Sequence, residues 1–173
     1  MSRIVIDARN INSSTGRYAE RLVYFLEQLD TKNDYTILVL KKDINYYKTT
    51  NPHFKIVGVN YDWFSLNEQL GMAWFLYKLK PDLVHFTMPH HPVLFFRPYI
   101  TTFHDLILLN TYNSDKNFWV FKFKQFVGWF AYLAMAHGAR SLIVPTNYVK
   151  GELAKFSRVN PQKIRVLPGP LGP

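Results

Sequence analysis

Arg3-Ile4-Val5-Ile6-Asp7-Ala8-Arg9, then polar Asn10 to Thr15, then Gly16-Arg17-Tyr18: this stretch decides the fold. The apolar run has the length of a strand. After the loop, Tyr18, Leu22, Leu26 and Leu29 recur at helical spacing. A strand that turns through a short loop into a helix is the first half of a βαβ unit.

Outward from it, the alternation continues. Strands are expected at Arg3–Ala8, Tyr35–Leu40, Lys55–Val59, Leu83–Phe86, Ile100–Phe103, Ser141–Val144 and Ile164–Leu167. Several are unbroken apolar runs rich in Val and Ile, as in parallel strands buried on both faces. A second helix should bury Leu66, Leu70, Ala73 and Tyr77 and end at Pro81. A last helix should bury Val149, Leu153 and Phe156 behind Thr146 as its N-cap. The expected fold is α/β: a Rossmann-like parallel sheet of about seven strands with helices on both faces. Residues 1–167 form one domain. Residues 168–173, Pro168-Gly169-Pro170-Leu171-Gly172-Pro173, read as a truncated interdomain linker.

The 173 residues are 48% hydrophobic and 17% aromatic, which excludes a disordered chain. No cysteine is present, so thiolate chemistry and disulfides are excluded. The formal charge is +9. It is uneven: 12 Lys/Arg face 9 Asp/Glu in residues 1–100, and 9 face 3 in residues 101–173. Such an excess attracts phosphate, anionic lipid or nucleic acid alike. Nucleic acid is disfavoured, because no recognisable nucleic-acid motif accompanies the charge. Met1-Ser2-Arg3 has no leader pattern. The aromatic stretch from Phe118 to Phe130 carries Lys122 and Lys124 and is either a core helix or a helix lying in a membrane interface. The expected location is cytoplasmic, with the inner face of a membrane as the alternative.

Candidate site residues lie at strand ends, where open α/β sheets place their chemistry. Gly16 permits close backbone approach at a helix N-terminus, and Arg17 adds a cation there. His104-Asp105 follows an apolar strand. His90-His91 sits on a loop between Pro89 and Pro92. Glu68-Gln69 follows the aromatic turn Tyr61-Asp62-Trp63-Phe64-Ser65. The histidine spacing matches no standard metal site.

Together, Asp7-Ala8-Arg9, Gly16-Arg17-Tyr18, Glu68-Gln69, Pro81-Asp82-Leu83-Val84-His85-Phe86, His104-Asp105-Leu106 and Pro145-Thr146 resemble, in order and spacing, the N-terminal domain of family 4 glycosyltransferases of GT-B type. The resemblance implies an acceptor-side domain of an enzyme that retains anomeric configuration. It would move a sugar from a nucleotide diphosphate to a hydroxyl, with no metal and no cofactor beyond the nucleotide-sugar co-substrate. It implies His104 as the catalytic contact to the donor sugar, and Gly16, Arg17 and Thr146 as donor-side contacts. Glu68, His90, His91 and Asp105 become acceptor-side candidates. The implied partners are a glycan or lipid-linked acceptor and a C-terminal donor-binding domain in cis or in trans, with an anionic membrane surface as a further candidate. The family's paired-glutamate donor motif is absent, so the chain alone is expected to be inactive. A non-catalytic subunit of a split enzyme, a sugar-nucleotide epimerase half and a basic nucleic-acid-binding module are the alternatives.

Overall fold

A computed structural model describes residues 1–63, 65–106 and 118–168, except the side chains of 118–121, 123 and 124. The expected linker beyond Pro168 therefore lies outside the described residues. Seven strands form one parallel sheet: β1 (Arg3–Asp7), β2 (Asp34–Leu40), β3 (Phe54–Val59), β4 (Leu83–Phe86), β5 (Tyr99–Thr102), β6 (Ser141–Val144) and β7 (Ile164–Val166). Their order is β3-β2-β1-β4-β5-β6-β7. The helices are α1 (Gly16–Leu29), α2 (Ala73–Leu79), α3 (Phe118–Gly138) and α4 (Asn147–Ser157).

Successive side chains of β1 enter opposite layers. Ile6 joins Ala19 and Val23 of α1 and Ile37 of β2. Val5 joins Met72, Leu76 of α2, Val84 and Leu142. The connection out of β1 thus packs on one face and the connection into β4 on the other. The winding reverses between β1 and β4, where open sheets of this kind open a crevice at their carboxyl ends.

Two helix faces differ from the sequence expectation. A π-helical turn over Glu68–Met72 precedes α2. Its wider winding rotates the buried stripe, so Met72, Ala73 and Leu76 face the core, while Leu66 and Leu70 are 82% and 62% exposed. In α1 the expected Leu22 and Leu26 pack against the core beside the fully buried Ala19 and Val23, while the expected Leu29 is exposed. The α4 expectation holds: Leu153 is buried with Val149 and Phe156 packed beside it. Thr146 Oγ1 accepts from Val149 N at 3.2 Å as its N-cap.

Candidate functional site

The carboxyl end of β1 carries a buried ion network. An arginine at the end of a buried strand must either reach water or find carboxylates. Arg9 is 1% exposed and finds two. Its Nε donates to Asp7 Oδ1 and its Nη2 to Asp7 Oδ2, both at 2.9 Å. Nη2 also donates to Glu68 Oε1 at 2.7 Å, and Nη1 to the Tyr61 carbonyl at 2.8 Å. The Trp63 ring covers the guanidinium, with its centroid 4.0 Å from Cζ. Burial alone would lower the Arg9 pKa, but Asp7 and then Glu68 more than reverse it, so the group is held charged. Glu68 reaches this point because the π-helical turn directs it inward, where it is buried.

The loop after β1 closes on itself. Ser13 Oγ donates to the Asn10 carbonyl at 2.6 Å, and Asn10 Nδ2 to the Thr15 carbonyl at 3.3 Å. Gly16 N donates to the Ser13 carbonyl at 2.9 Å. A Cβ at Gly16 would collide with the carbonyls of Asn10 and Ile11, so the loop's own backbone requires glycine there. A recess of about 350 Å³ opens above this point, lined in part by Arg9, Asn12, Lys42, Asp43, Trp63 and His90. Asn12 Nδ2 donates to Asp43 Oδ1 at 2.8 Å across it.

Thr87, fully buried at the end of β4, ties the strand ends together. Its Oγ1 lies 2.7 Å from the Asp7 carbonyl and 2.9 Å from Asn10 Oδ1. Its own carbonyl accepts from His104 Nε2 at 2.9 Å. A carbonyl can only accept, so Nε2 carries the proton, and in the neutral ring Nδ1 bears the lone pair. Behind His104, the Tyr18 ring packs edge-on with centroids 5.1 Å apart. Tyr18 Oη lies 3.2 Å from Thr102 Oγ1, which is 3.0 Å from His85 Nε2. Burial pushes His85 down to about 4, so it is neutral at physiological pH.

The family model for Glycosyltransferase Family 4 matches residues 16–171. The chain belongs to that family. Among solved structures, the family 4 domain is similar to a variant of the wall teichoic acid polymerase TagF, with a TM-score of 0.63 and 13% identity over 98% of this chain and 39% of that one. It is also similar to a glycosyltransferase from Rickettsia africae ESF-5, with a TM-score of 0.52 and 18% identity over 96% of this chain and 42% of that one. The family 4 domain thus spans about two fifths of the length of each structure. At these identities the likeness concerns the fold. No curated protein sequence gives a significant match.

Within the family 4 domain, the expected residues divide. Glu68 and His90 come together around Arg9 and Trp63. The His90 ring stands edge-on to Trp63 at 6.2 Å, and its Nε2 is 3.2 Å from Tyr132 Oη. Burial and then the charge of Arg9 push His90 down to about 4, against the pull of Asp105. His104 joins the same crevice through Thr87. His91 goes elsewhere: it is 1% exposed, stacks on Phe86 at 3.9 Å, and its Nδ1 donates to the Pro92 carbonyl at 3.2 Å. Arg17 and Asp105 are exposed, and Thr146 is spent on the α4 cap. Among the described residues, no three His, Asp or Glu side chains form a metal-ligand set. Sequence reasoning did not place Arg9, Trp63, Thr87 or Tyr132 at the site. The signal available for Arg9 was its position: a charge beside Asp7 at the end of a buried strand demands a second partner.

Proposed function

We propose that this domain is the acceptor side of a retaining glycosyltransferase, which moves a sugar from a nucleotide diphosphate to a hydroxyl. The observation that carries this reading is the joining of His104, Thr87, Arg9 and Glu68 at the winding reversal of a family 4 domain. There the strand ends supply rigid, preorganised polar groups, which stabilise charge developing in a transition state better than mobile ones. His104 orients the transferred sugar near the reacting carbon. Gly16 and Arg17 lie on the side from which the departing diphosphate approaches. Donor binding falls to a second domain, in cis or in trans. The pure 173-residue chain, given nucleotide-sugars and glycan acceptors, is therefore expected to release no nucleotide diphosphate above background. Metal-independent turnover by the pure chain would overturn this division of labour.

A second part of the reading concerns location. Phe126 and Phe130 of α3 are 59% and 52% exposed, with Val127 and Trp129 beside them, although Tyr132, Met135 and Ala136 of the same helix are core residues. Lys122 is exposed one turn earlier. No helix among the described residues is long and apolar enough to cross a membrane. Exposed aromatics next to a lysine on a chain of charge +9 suit the interface of an anionic bilayer, where aromatic rings and head-group-seeking lysines are both favoured. The protein is expected to co-sediment with anionic vesicles, not with neutral ones, and to be released by salt. Lys122→Glu with Lys124→Glu should abolish this binding without changing the circular dichroism spectrum. Failure of the parent protein to co-sediment at low salt would remove the membrane from the reading.

A further inference from the structure

The outer surface of α2 is apolar where a surface helix is ordinarily polar. Leu66, Leu70, Trp74 and Lys78 recur every four residues from just before the π-helical turn to the last turn of α2, and all four are exposed. They stand opposite Met72, Ala73 and Leu76, which enter the core. Trp74 is 62% exposed, and Lys78 Nζ lies 4.9 Å from its ring centroid. The fold therefore buries one apolar row of this segment and leaves a second one outside.

The stripe continues onto its neighbours. The strap of residues 92–98, which leads from β4 to β5, lies against α2. Phe96 N donates to Tyr77 Oη at 2.9 Å, and Tyr77 Oη donates to the Leu94 carbonyl at 3.1 Å. Phe95 turns into the core beside Tyr77, with ring centroids 5.2 Å apart, and Phe96 is left 79% exposed. α3 lies over β5, where Tyr99 Oη donates to the Met135 carbonyl at 3.0 Å. Leu76 of α2, Phe95 of the strap and Met135 of α3 share one core cluster with Val5 and Val84. All three elements thus cover the same face of the sheet, and Trp74, Phe96, Phe126 and Phe130 point away from it on the same side.

Charge and shape decide what this surface meets. From Gln69 to His104 the sequence holds one acidic residue, Asp82, and α3 holds none. Asp82 is engaged at the other end of the strands, where its Oδ2 accepts from Arg3 N at 2.7 Å. Lys78, Lys80 and Arg97 supply cations over the same stretch. Exposed Trp and Phe among cations, with carboxylates kept away, match the boundary of an anionic bilayer. Rings settle there between acyl chains and head groups, and ammonium groups meet lipid phosphates. A helical protein partner would call for a groove. These side chains protrude instead.

We infer that the outer stripe of α2 and the 92–98 strap dock on an anionic lipid bilayer, forming one platform with α3. The inference rests on the location reading above and extends it from one helix to a surface. Its consequence is an orientation. Glu68, flanked by Leu66 and Leu70, reaches Arg9 at the crevice, so the stripe begins where the crevice opens. A platform of helices holds the sheet above the bilayer by one helix diameter, roughly 10–12 Å, and the strand ends then open at the height of the lipid head groups.

The test uses the absence of cysteine, since one introduced thiol takes one label. Leu70→Cys and Phe96→Cys, each carrying an environment-sensitive fluorophore, report on the platform. Gln28→Cys, exposed on α1 across the sheet, is the control. The probes are vesicles of equal parts phosphatidylglycerol and phosphatidylcholine, and vesicles of phosphatidylcholine alone. Both platform labels should shift to the blue on the anionic vesicles, and the control label should not. Trp74→Ala with Phe96→Ala should weaken co-sedimentation roughly 10–100-fold and leave the thermal midpoint within about 2 °C of the parent. Lys78→Glu should weaken binding as well and flatten its dependence on salt. The inference is overturned if the parent binds anionic vesicles while the platform labels stay unshifted, or while the double alanine variant binds as tightly as the parent. The α3 reading would then stand alone. Failure of the parent to bind anionic vesicles removes both. If sedimentation velocity shows self-association that the double alanine variant loses, and the parent ignores vesicles, the surface is a contact between copies and the lipid inference is wrong.

Discussion

Arg9→Ala is expected to lower the thermal unfolding midpoint by roughly 6–20 °C. The substitution leaves Asp7 and Glu68 buried, 3% and 1% exposed, with the cation between them removed. Breaking a buried ion pair by removing one partner costs about 3–5 kcal/mol, because the remaining charge cannot regain its hydration. For a domain of this size each kcal/mol moves the midpoint by about 2–4 °C. The loss is a large share of the 5–15 kcal/mol that holds an ordinary domain together. Arg9→Lys should recover only part of it. An ammonium cannot serve both Asp7 oxygens, Glu68 and the Tyr61 carbonyl in one plane. Glu68→Gln is expected to be milder, since an amide oxygen can still accept from Nη2 and the bidentate Asp7 pair survives. The decisive comparison adds Asp7→Asn and Glu68→Gln to Arg9→Met: with no charge left to strand, the midpoint should rise again above that of Arg9→Ala. Thermal melts followed by circular dichroism check the series. A midpoint for Arg9→Ala within about 2 °C of the parent would show that water reaches the network and that its burial is not costly.

The network also marks how far the sequence could be read. Strands were legible because a parallel strand buried on both faces is a short apolar run: Arg3–Asp7 holds three apolar residues between charged ends, and Ser141–Val144 holds three after a serine. The winding reversal between β1 and β4 was not legible, since strand order depends on contacts across the sheet. Helix faces were legible where the winding is regular, as in α4. They failed before α2, because a pattern counted at 3.6 residues per turn is displaced by one π-helical turn at Glu68–Met72. That same displacement turns Glu68 inward to Arg9, 59 positions away in the chain, a pairing that no local spacing encodes. Trp63 and Thr87 lie on connections whose paths are set by packing. The divergence of His90 and His91 had the same origin. Neighbouring residues on a bent loop point in different directions, and only the structure says which one meets Trp63 and which one stacks on Phe86.

The second large effect concerns His104, in any preparation in which the domain supports sugar transfer. His104→Ala is expected to lower turnover about 10²–10³-fold, the usual cost of removing one preorganised donor or acceptor from a transition state. Stability should change far less. The imidazole is only partly buried, and the bond it loses, from Nε2 to the Thr87 carbonyl at 2.9 Å, joins the loops just beyond the carboxyl ends of β4 and β5 and is not part of the sheet's own ladder. The fixed tautomer makes the prediction sharper. With Nε2 committed to Thr87, the atom left for a ligand is Nδ1, an acceptor. Asparagine places its amide near the Nδ1 position and loses the Thr87 bond. Glutamine reaches the Nε2 position and leaves nothing at Nδ1. His104→Asn should therefore retain more turnover than His104→Gln, while His104→Gln should melt closer to the parent. The reverse ranking would mean that Thr87 anchors the ring for packing against Tyr18 alone. Near-normal turnover in the alanine variant would make His104 a structural residue, and the transferred sugar would then have to be oriented by other groups at the strand ends.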